Sequence, residues 1–308
     1  MSGTIVFQQM LVILILVAIG YGVYKKGWIT DAGSRSMSFL VVNITNPALN
    51  ISSAFRDDLQ VTHKDILSAL LLYLILYLIL TAFGHLLANV LADKKENRRY
   101  YIMQVMYTNV GFIGIPLASA VLGSEAVVYV AIYNIIYNIF FYTHGYTVMF
   151  SGIENINYKV SWKTFINVGT ISSILCVFIF WYRLRFPAVI EDVITAGGKA
   201  TTFMAMIVLG VSLAKIPLKK LVGNYRIFIL WGARFLIFPI VAGIVLTRCM
   251  DMSLMTSTLI LLLAMPVGNM PLMIATQYEL DTDILSSGIF ISTVLSIVTV
   301  TLTSLTMA

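Results

Sequence analysis

Long apolar runs separated by short polar stretches dominate the chain. The hydrocarbon core of a bilayer, about 30 Å thick, requires about 20 mostly apolar residues of helix. Ten stretches of about this length are present, which we number segments 1 to 10: 5–24, 36–55, 66–91, 101–121, 125–149, 164–182, 193–213, 226–247, 256–277 and 285–306. The pattern predicts an all-α polytopic membrane protein with ten transmembrane helices.

The composition excludes other classes of protein. Of the 308 residues, 59% are hydrophobic and 11% are charged, and the mean hydropathy is +0.91. A soluble domain carries about 25% charged residues, and disordered chains are poor in apolar residues. Two cysteines are too few for a secreted disulfide scaffold.

The loop charges predict the orientation. We call the membrane face of the N-terminus side A and the opposite face side B. Loops on side B carry thirteen Lys and Arg residues and loops on side A carry five. Because basic residues concentrate in cytoplasmic loops, side B is expected to be cytoplasmic and both termini outside, in the plasma membrane. This distribution accounts for the net charge of +6 without a nucleic-acid partner.

The ten segments divide into two halves of five. Residues 1–150 form the first half, a short polar linker covers 151–163, and 164–308 form the second. Because each half has an odd number of spans, the second must enter the membrane from the opposite face. Two inverted five-helix repeats are therefore predicted.

Segments 4 and 9 are interrupted at corresponding places. Asn, Gly and Pro break the apolar pattern at 109–116 and again at 266–271. Proline removes a backbone donor, and glycine lets the chain leave helical angles. Paired breaks of this kind point to the substrate site of a transporter. A simple proline kink is the alternative.

If the two breaks cross, positive helix N-termini meet near the midplane and suit a carboxylate. Candidate substrate-binding residues at the breaks are Asn109, Gly111, Gly114, Pro116, Pro266, Gly268, Asn269 and Pro271.

Arg234 lies near the middle of segment 8, where a charge costs at least about 2.5 kcal/mol. It is a further candidate for substrate binding. Alternatively, it complements the carbonyl ends of a broken helix, or it serves as a structural ion pair or hydrogen-bond anchor. No acidic residue lies at comparable depth in any segment, which favours a substrate or carbonyl partner over an ion pair.

Several asparagines lie on helix faces inside the membrane. Asn43, Asn46 and Asn50 share one face of segment 2, and Asn134 and Asn138 form an i, i+4 pair in segment 5. Asn46 is a candidate substrate contact, and the other four are expected to support the site. Interhelical hydrogen bonds, at about 0.6 kcal/mol each, are the alternative role.

Neither a metal nor a cofactor is expected. His85 and His144 are isolated in apolar stretches, whereas metal sites need clustered ligands. Each is expected to satisfy its own hydrogen bonds.

Several short motifs, taken in order and spacing, resemble the auxin efflux carrier family, which includes plant PIN carriers and bacterial organic-anion permeases. The motifs are Ala18-Ile19-Gly20-Tyr21-Gly22, Asn46-Pro47-Ala48-Leu49, Asn109 with Gly114-Ile115-Pro116-Leu117, Arg234-Phe235-Leu236 with Pro239, and Pro266 to Pro271 followed by Tyr278 and Asp283-Ile284-Leu285-Ser286.

The resemblance implies a scaffold of segments 1, 2, 6 and 7. It also implies a mobile transport domain of segments 3–5 and 8–10 that holds the crossed helices. Members of the family move anions by an elevator-like motion, usually as homodimers joined through the scaffold. The match at Asn109 implies a contact with the substrate carboxylate.

The sequence departs from the plant carriers in two respects. The linker is only about a dozen residues long, so the phosphorylation-based control of the plant carriers is not expected. Asn269 stands where plant carriers have an apolar residue, which favours a small carboxylate such as malate or malonate over auxin.

The sequence therefore predicts a secondary transporter of small organic anions. An intramembrane enzyme, and a channel or receptor, are the alternatives. A phosphate-binding GxxxxGK[ST] loop, a His-Glu-x-x-His helix and a Gly-x-Ser-x-Gly elbow are all absent from the sequence. Uniport, exchange and coupling to sodium or protons stay open.

Overall fold

The computed structural model describes residues 3–55, 61–153, 166–215, 223–278 and 280–307. Within these ranges the regular structure is helical, with one isolated β-bridge. The α-helices, in order of segments 1 to 10, are Gly3–Lys25; Asp31–Leu40 and Asn46–Ser52; His63–Leu91; Arg98–Met106 and Ile115–Leu122; Ala126–Phe140 and Tyr146–Phe150; Val168–Tyr182; Ala188–Ala214; Tyr225–Trp231 and Phe238–Cys249; Leu254–Leu263 and Met270–Gln277; and Asp283–Ser304.

Six helices in the described ranges are long and apolar enough to cross a membrane, in segments 1, 3, 5, 7, 8 and 10. Shorter apolar helices lie in segments 4, 6 and 9. The all-α prediction is confirmed for the described residues, and the chain is an integral membrane protein. The ten-span inverted repeat, the domain division and the orientation stay predictions. Most of the predicted linker, from residue 154 on, and five of the loop cations lie outside the described residues.

Wide π-helical turns interrupt four segments, at Val41–Thr45, Val110–Gly114, Phe141–Gly145 and Gly232–Ile237. In three of them a proline follows in the first turn of the next helix, a position that tolerates its missing N–H: Pro47, Pro116 and Pro239. The chain therefore stays helical at prolines within segments 2 and 8.

Segments 1 and 7 cross at two glycines. A Cβ on Gly210 would overlap the carbonyl oxygen of Val17, and a Cβ on Gly20 would overlap that of Ile207. Backbones approach this closely only where side chains are absent. Segment 7 also packs on segment 2, with Gly198 against Leu49.

The buried core surrounds the breaks in segments 4 and 9. Segment 3 packs on segments 4 and 5, and segment 10 packs on segment 4. Tyr73, Tyr77 and Tyr133 form a ring cluster between segments 3 and 5. The two interrupted segments are thereby held inside the protein.

Candidate substrate site at the crossing of segments 4 and 9

The two interrupted segments meet through their backbones. Thr108 and Val267 form an antiparallel β-bridge. The amide of Asn109 donates to the carbonyl of Pro266 at 2.7 Å, and that of Gly268 donates to the carbonyl of Tyr107 at 2.9 Å. Each break thus satisfies backbone groups of the other, as a buried non-helical stretch in a membrane protein requires.

The unwound part of segment 4 differs from the prediction. Its helix ends at Met106, the chain is non-helical from Tyr107 to Asn109, and it coils again from Val110. Gly111 and Gly114 therefore lie in a π-helical turn, and Pro116 lies in the first turn of the next helix. Asn109 makes this early restart favourable, since its Oδ1 accepts the amide of Phe112 at 3.1 Å and caps the new helix.

In segment 9 the helix ends at Leu263 and resumes at Met270. The non-helical stretch is therefore 264–269, two residues before the predicted 266–271, and Pro271 lies in the first turn of the next helix. A Cβ on Gly268 would lie 2.7 Å from the carbonyl oxygen of Thr108, so only glycine permits the contact. The hydroxyl of Ser292, from segment 10, accepts the amide of Val267 at 3.0 Å.

Arg234 bonds to the carbonyl ends of both first half-helices. Its Nε donates to Val105 O at 2.6 Å, and its Nη1 donates to Leu263 O at 2.8 Å. The side chain is fully buried, with its guanidinium 4.9 Å from the Phe235 ring centre and 5.4 Å from that of Phe238. Of the alternatives raised by the sequence, these contacts match the carbonyl ends of the broken helices.

A cavity of about 220 Å³ adjoins the starts of the two second half-helices. Segments 2, 4, 5, 6 and 9 contribute to its wall, and none of its described lining residues is charged. Eight asparagines line it: Asn43, Asn46, Asn50, Asn109, Asn134, Asn138, Asn167 and Asn269.

Several amide atoms of these asparagines have no hydrogen-bond partner within the described part of the chain. Asn109 is 3% exposed, and its Nδ2 is such an atom. The cap at Phe112 occupies its Oδ1, so the unpaired atom is a donor. Asn46 and Asn50 each have an unpaired Oδ1, while Asn50 Nδ2 donates to Ser172 at 3.2 Å. Because unpaired buried polar groups are costly, this wall is suited to a polar ligand.

The structure brings together nine of the predicted residues in the cavity wall: Asn43, Asn46, Asn50, Asn109, Gly111, Asn134, Asn138, Gly268 and Asn269. Five others do not line it: Gly114, Pro116, Pro266, Pro271 and Arg234. These five lie in or beside the crossing and shape it, and their role as substrate contacts stays a prediction.

Sequence reasoning missed the contribution of segment 6. Asn167 and Ser172 line the cavity, and Asn167 also caps its helix by accepting the amide of Thr170 at 2.9 Å. A polar residue before an apolar helix is typical of an ordinary cap, so a second role of Asn167 could not be predicted from its position in the sequence.

The comparisons with known proteins agree with a transporter. A family model described as membrane transport protein matches residues 5–304. A protein of Methanothermobacter thermautotrophicus named "uncharacterized transporter" is 25% identical over 313 residues, which cover 96% of this chain and 97% of that protein. A protein of Methanocaldococcus jannaschii with the same description is 26% identical over 306 residues, covering 95% and 96%. The chain therefore belongs to the membrane transport protein family, to which the auxin efflux carriers belong.

Proposed function

We propose that this transporter is a secondary carrier of small organic anions and that its substrate binds in the cavity at the crossing of segments 4 and 9. The observation that carries the proposal is the convergence of two helix starts, at Val110 and Met270, with the unpaired Nδ2 of Asn109 on one cavity.

The electrostatics of the crossing support an anion. A helix N-terminus carries the equivalent of about half a positive charge, and two of them adjoin this cavity. The opposite, negative ends at Val105 and Leu263 are bonded to Arg234. The helix starts therefore supply partial positive charge to the cavity without a cation in its described wall.

The size of the cavity supports a small ligand. Pockets for drug-sized molecules are about 300–1,000 Å³, and this one is about 220 Å³. A two- to four-carbon carboxylate such as malonate or malate fits this volume better than an aromatic acid.

The wall composition supports alternating access. Segments 2 and 6 of the predicted scaffold face segments 4, 5 and 9 of the predicted transport domain across the cavity. The cavity reaches Asn167, at the start of segment 6 on the predicted cytoplasmic side. This arrangement supports an elevator motion in which the transport domain moves against the scaffold and carries the substrate with it.

A thermal-shift screen of the purified chain against mono- and dicarboxylates, followed by counterflow in proteoliposomes, tests the proposal. We expect malonate or a close analogue to raise the melting temperature and labelled malonate to accumulate against unlabelled malonate inside. Saturable counterflow identifies a carrier, whereas flux without counterflow identifies a channel. Failure of all small carboxylates in both assays would contradict the proposal.

A further inference from the structure

Two of the three histidines of the chain are in contact, although each lies alone in its apolar stretch of the sequence. His85 of segment 3 and His144 of segment 5 lie 59 residues apart, and their Nε2 atoms are 3.0 Å apart. Both rings are half-buried, with planes inclined by 74°. One ring must therefore donate its Nε2–H to the bare Nε2 of the other.

The ring that donates from Nε2 has a bare Nδ1, whichever of the two rings it is. His144 Nδ1 is buried without a hydrogen-bond partner in the described residues. The neutral pair therefore retains one basic nitrogen beside its mutual hydrogen bond.

The pair is accessible from the predicted cytoplasmic side. A cavity of about 530 Å³ extends from His85 to the loop after segment 3 and the end of segment 5. The charged groups of its described wall are Lys95 and Glu96 of that loop and Arg98 and Arg99 of segment 4. His85 is the member of the pair that lines this cavity, and His144 adjoins the cavity through its contact with His85.

Tyr107 connects the pair with the crossing. Its carbonyl accepts the amide of Gly268, and its hydroxyl donates to the carbonyl of Phe140 at 3.0 Å. The same hydroxyl packs against Gly145, where an added Cβ would lie 2.9 Å away. Phe141–Gly145 is the π-helical turn that carries His144, and such turns are frequent at functional sites. A displacement of the crossing is therefore transmitted to the turn at Phe141–Gly145 through the buried side chain of Tyr107.

From these contacts we infer that His85 and His144 form a proton-binding site and that the carrier uses it to couple anion movement to protons. The coupling rests on the proposed function; the proton site does not. One proton adds to the bare Nδ1 of the donating ring, which becomes an imidazolium and still donates its Nε2–H to the Nε2 of the other ring, so that the bond is now charge-assisted. A second proton would place N–H groups on both Nε2 atoms and break the bond. One bound proton balances the charge of one carboxylate.

Selective ¹⁵N-histidine labelling of the full chain tests the proton site, because only three histidines give signals. His63→Gln removes the third signal; that residue is exposed and stacks on Trp181 at the far end of segment 3. We expect His85 and His144 to titrate in two steps separated by more than about one pH unit, and His85→Gln to shift the midpoint of His144. Independent titration of the two rings would overturn the site.

Proteoliposomes containing a pH-sensitive dye test the coupling with malonate as the probe. We expect inward malonate movement to acidify the lumen for the wild type and His63→Gln. His85→Gln and His144→Gln should lose acidification by at least about fivefold and retain malonate counterflow. Counterflow without acidification in the wild type would overturn the coupling alone. Absence of counterflow for every small carboxylate would contradict the proposed function and the coupling with it, and the ¹⁵N titration would still decide the proton site.

Discussion

Arg234 and Val105 lie 129 residues apart in the chain, yet the guanidinium Nε of one donates to the carbonyl oxygen of the other at 2.6 Å. The second bond of Arg234, to Leu263, ties the matching half-helix of segment 9 to the same group. One buried cation thus holds the negative ends of both broken helices. This leaves their positive counterparts facing the cavity.

Arg234→Ala should destabilise the protein strongly. It would leave two buried carbonyls unpaired, and a hydrogen bond to a charged group contributes about 1.5–3 kcal/mol, so the loss is about 3 kcal/mol or more. Arg234→Lys keeps the charge but cannot bond to both carbonyls in the same geometry, so its stability should lie between those of the wild type and Arg234→Ala. Thermal unfolding in detergent measures the effect. Arg248→Ala, at the exposed end of the same segment, is the control. An Arg234→Ala protein as stable as this control would contradict the anchoring role.

Asn109→Asp should weaken anion binding and preserve the fold. The carboxylate still caps Phe112 but places a negative charge where the unpaired amide faced the cavity. We expect the affinity for malonate to fall at least about tenfold, equivalent to about 1.4 kcal/mol. Asn224→Asp is a matched control, because Asn224 also caps a helix, at Arg226, and lies outside the cavity wall. Equal malonate affinity in the two variants would argue against a substrate contact at Asn109.

Gly268→Ala and Gly111→Ala separate the crossing from the cavity. The methyl group at 268 would lie 2.7 Å from backbone oxygen, whereas at 111 it would meet only Asn46 Nδ2, at 3.4 Å. Gly268→Ala should therefore abolish transport and lower thermal stability. Gly111→Ala should fold normally and alter only the apparent malonate affinity. Normal counterflow by Gly268→Ala would exclude the close backbone contact.

Gly210→Ala should disrupt the packing of segments 1 and 7. Its Cβ would overlap backbone atoms of Val17 and Tyr21, and overpacking typically costs about 1–3 kcal/mol. Gly22→Ala is the control, because Gly22 lies on segment 1 and no atom is within 4 Å of the added Cβ. This variant should keep the stability of the wild type. Melting temperatures of the two variants in one detergent make the comparison, and equal values would refute the contact.

Much of the helical pattern follows from hydropathy alone, since apolar runs of membrane length have few alternatives to a helix. The breaks were predictable because Asn, Gly and Pro occur together in segments 4 and 9. Their mutual contact required tertiary structure, as did the shift of the unwound stretch to Tyr107. The side chain of Asn109 caps the helical turn that begins at Val110 and so stabilises the restart at that position.

The roles of Arg234, Asn167 and the histidines depended on contacts between distant segments. Hydropathy located the buried guanidinium but not its partners, Val105 and Leu263. His85 and His144 each appear isolated in an apolar stretch, and only the packing of segment 3 on segment 5 joins them. Pairings of this kind leave no periodicity in the sequence.

A density map of the protein with bound malonate would test the crossing site most directly. The account predicts a carboxylate within hydrogen-bonding distance of Asn109 Nδ2, beside the helix starts at Val110 and Met270. Malonate bound elsewhere, or segments 4 and 9 passing each other without the contact between Thr108 and Val267, would contradict it.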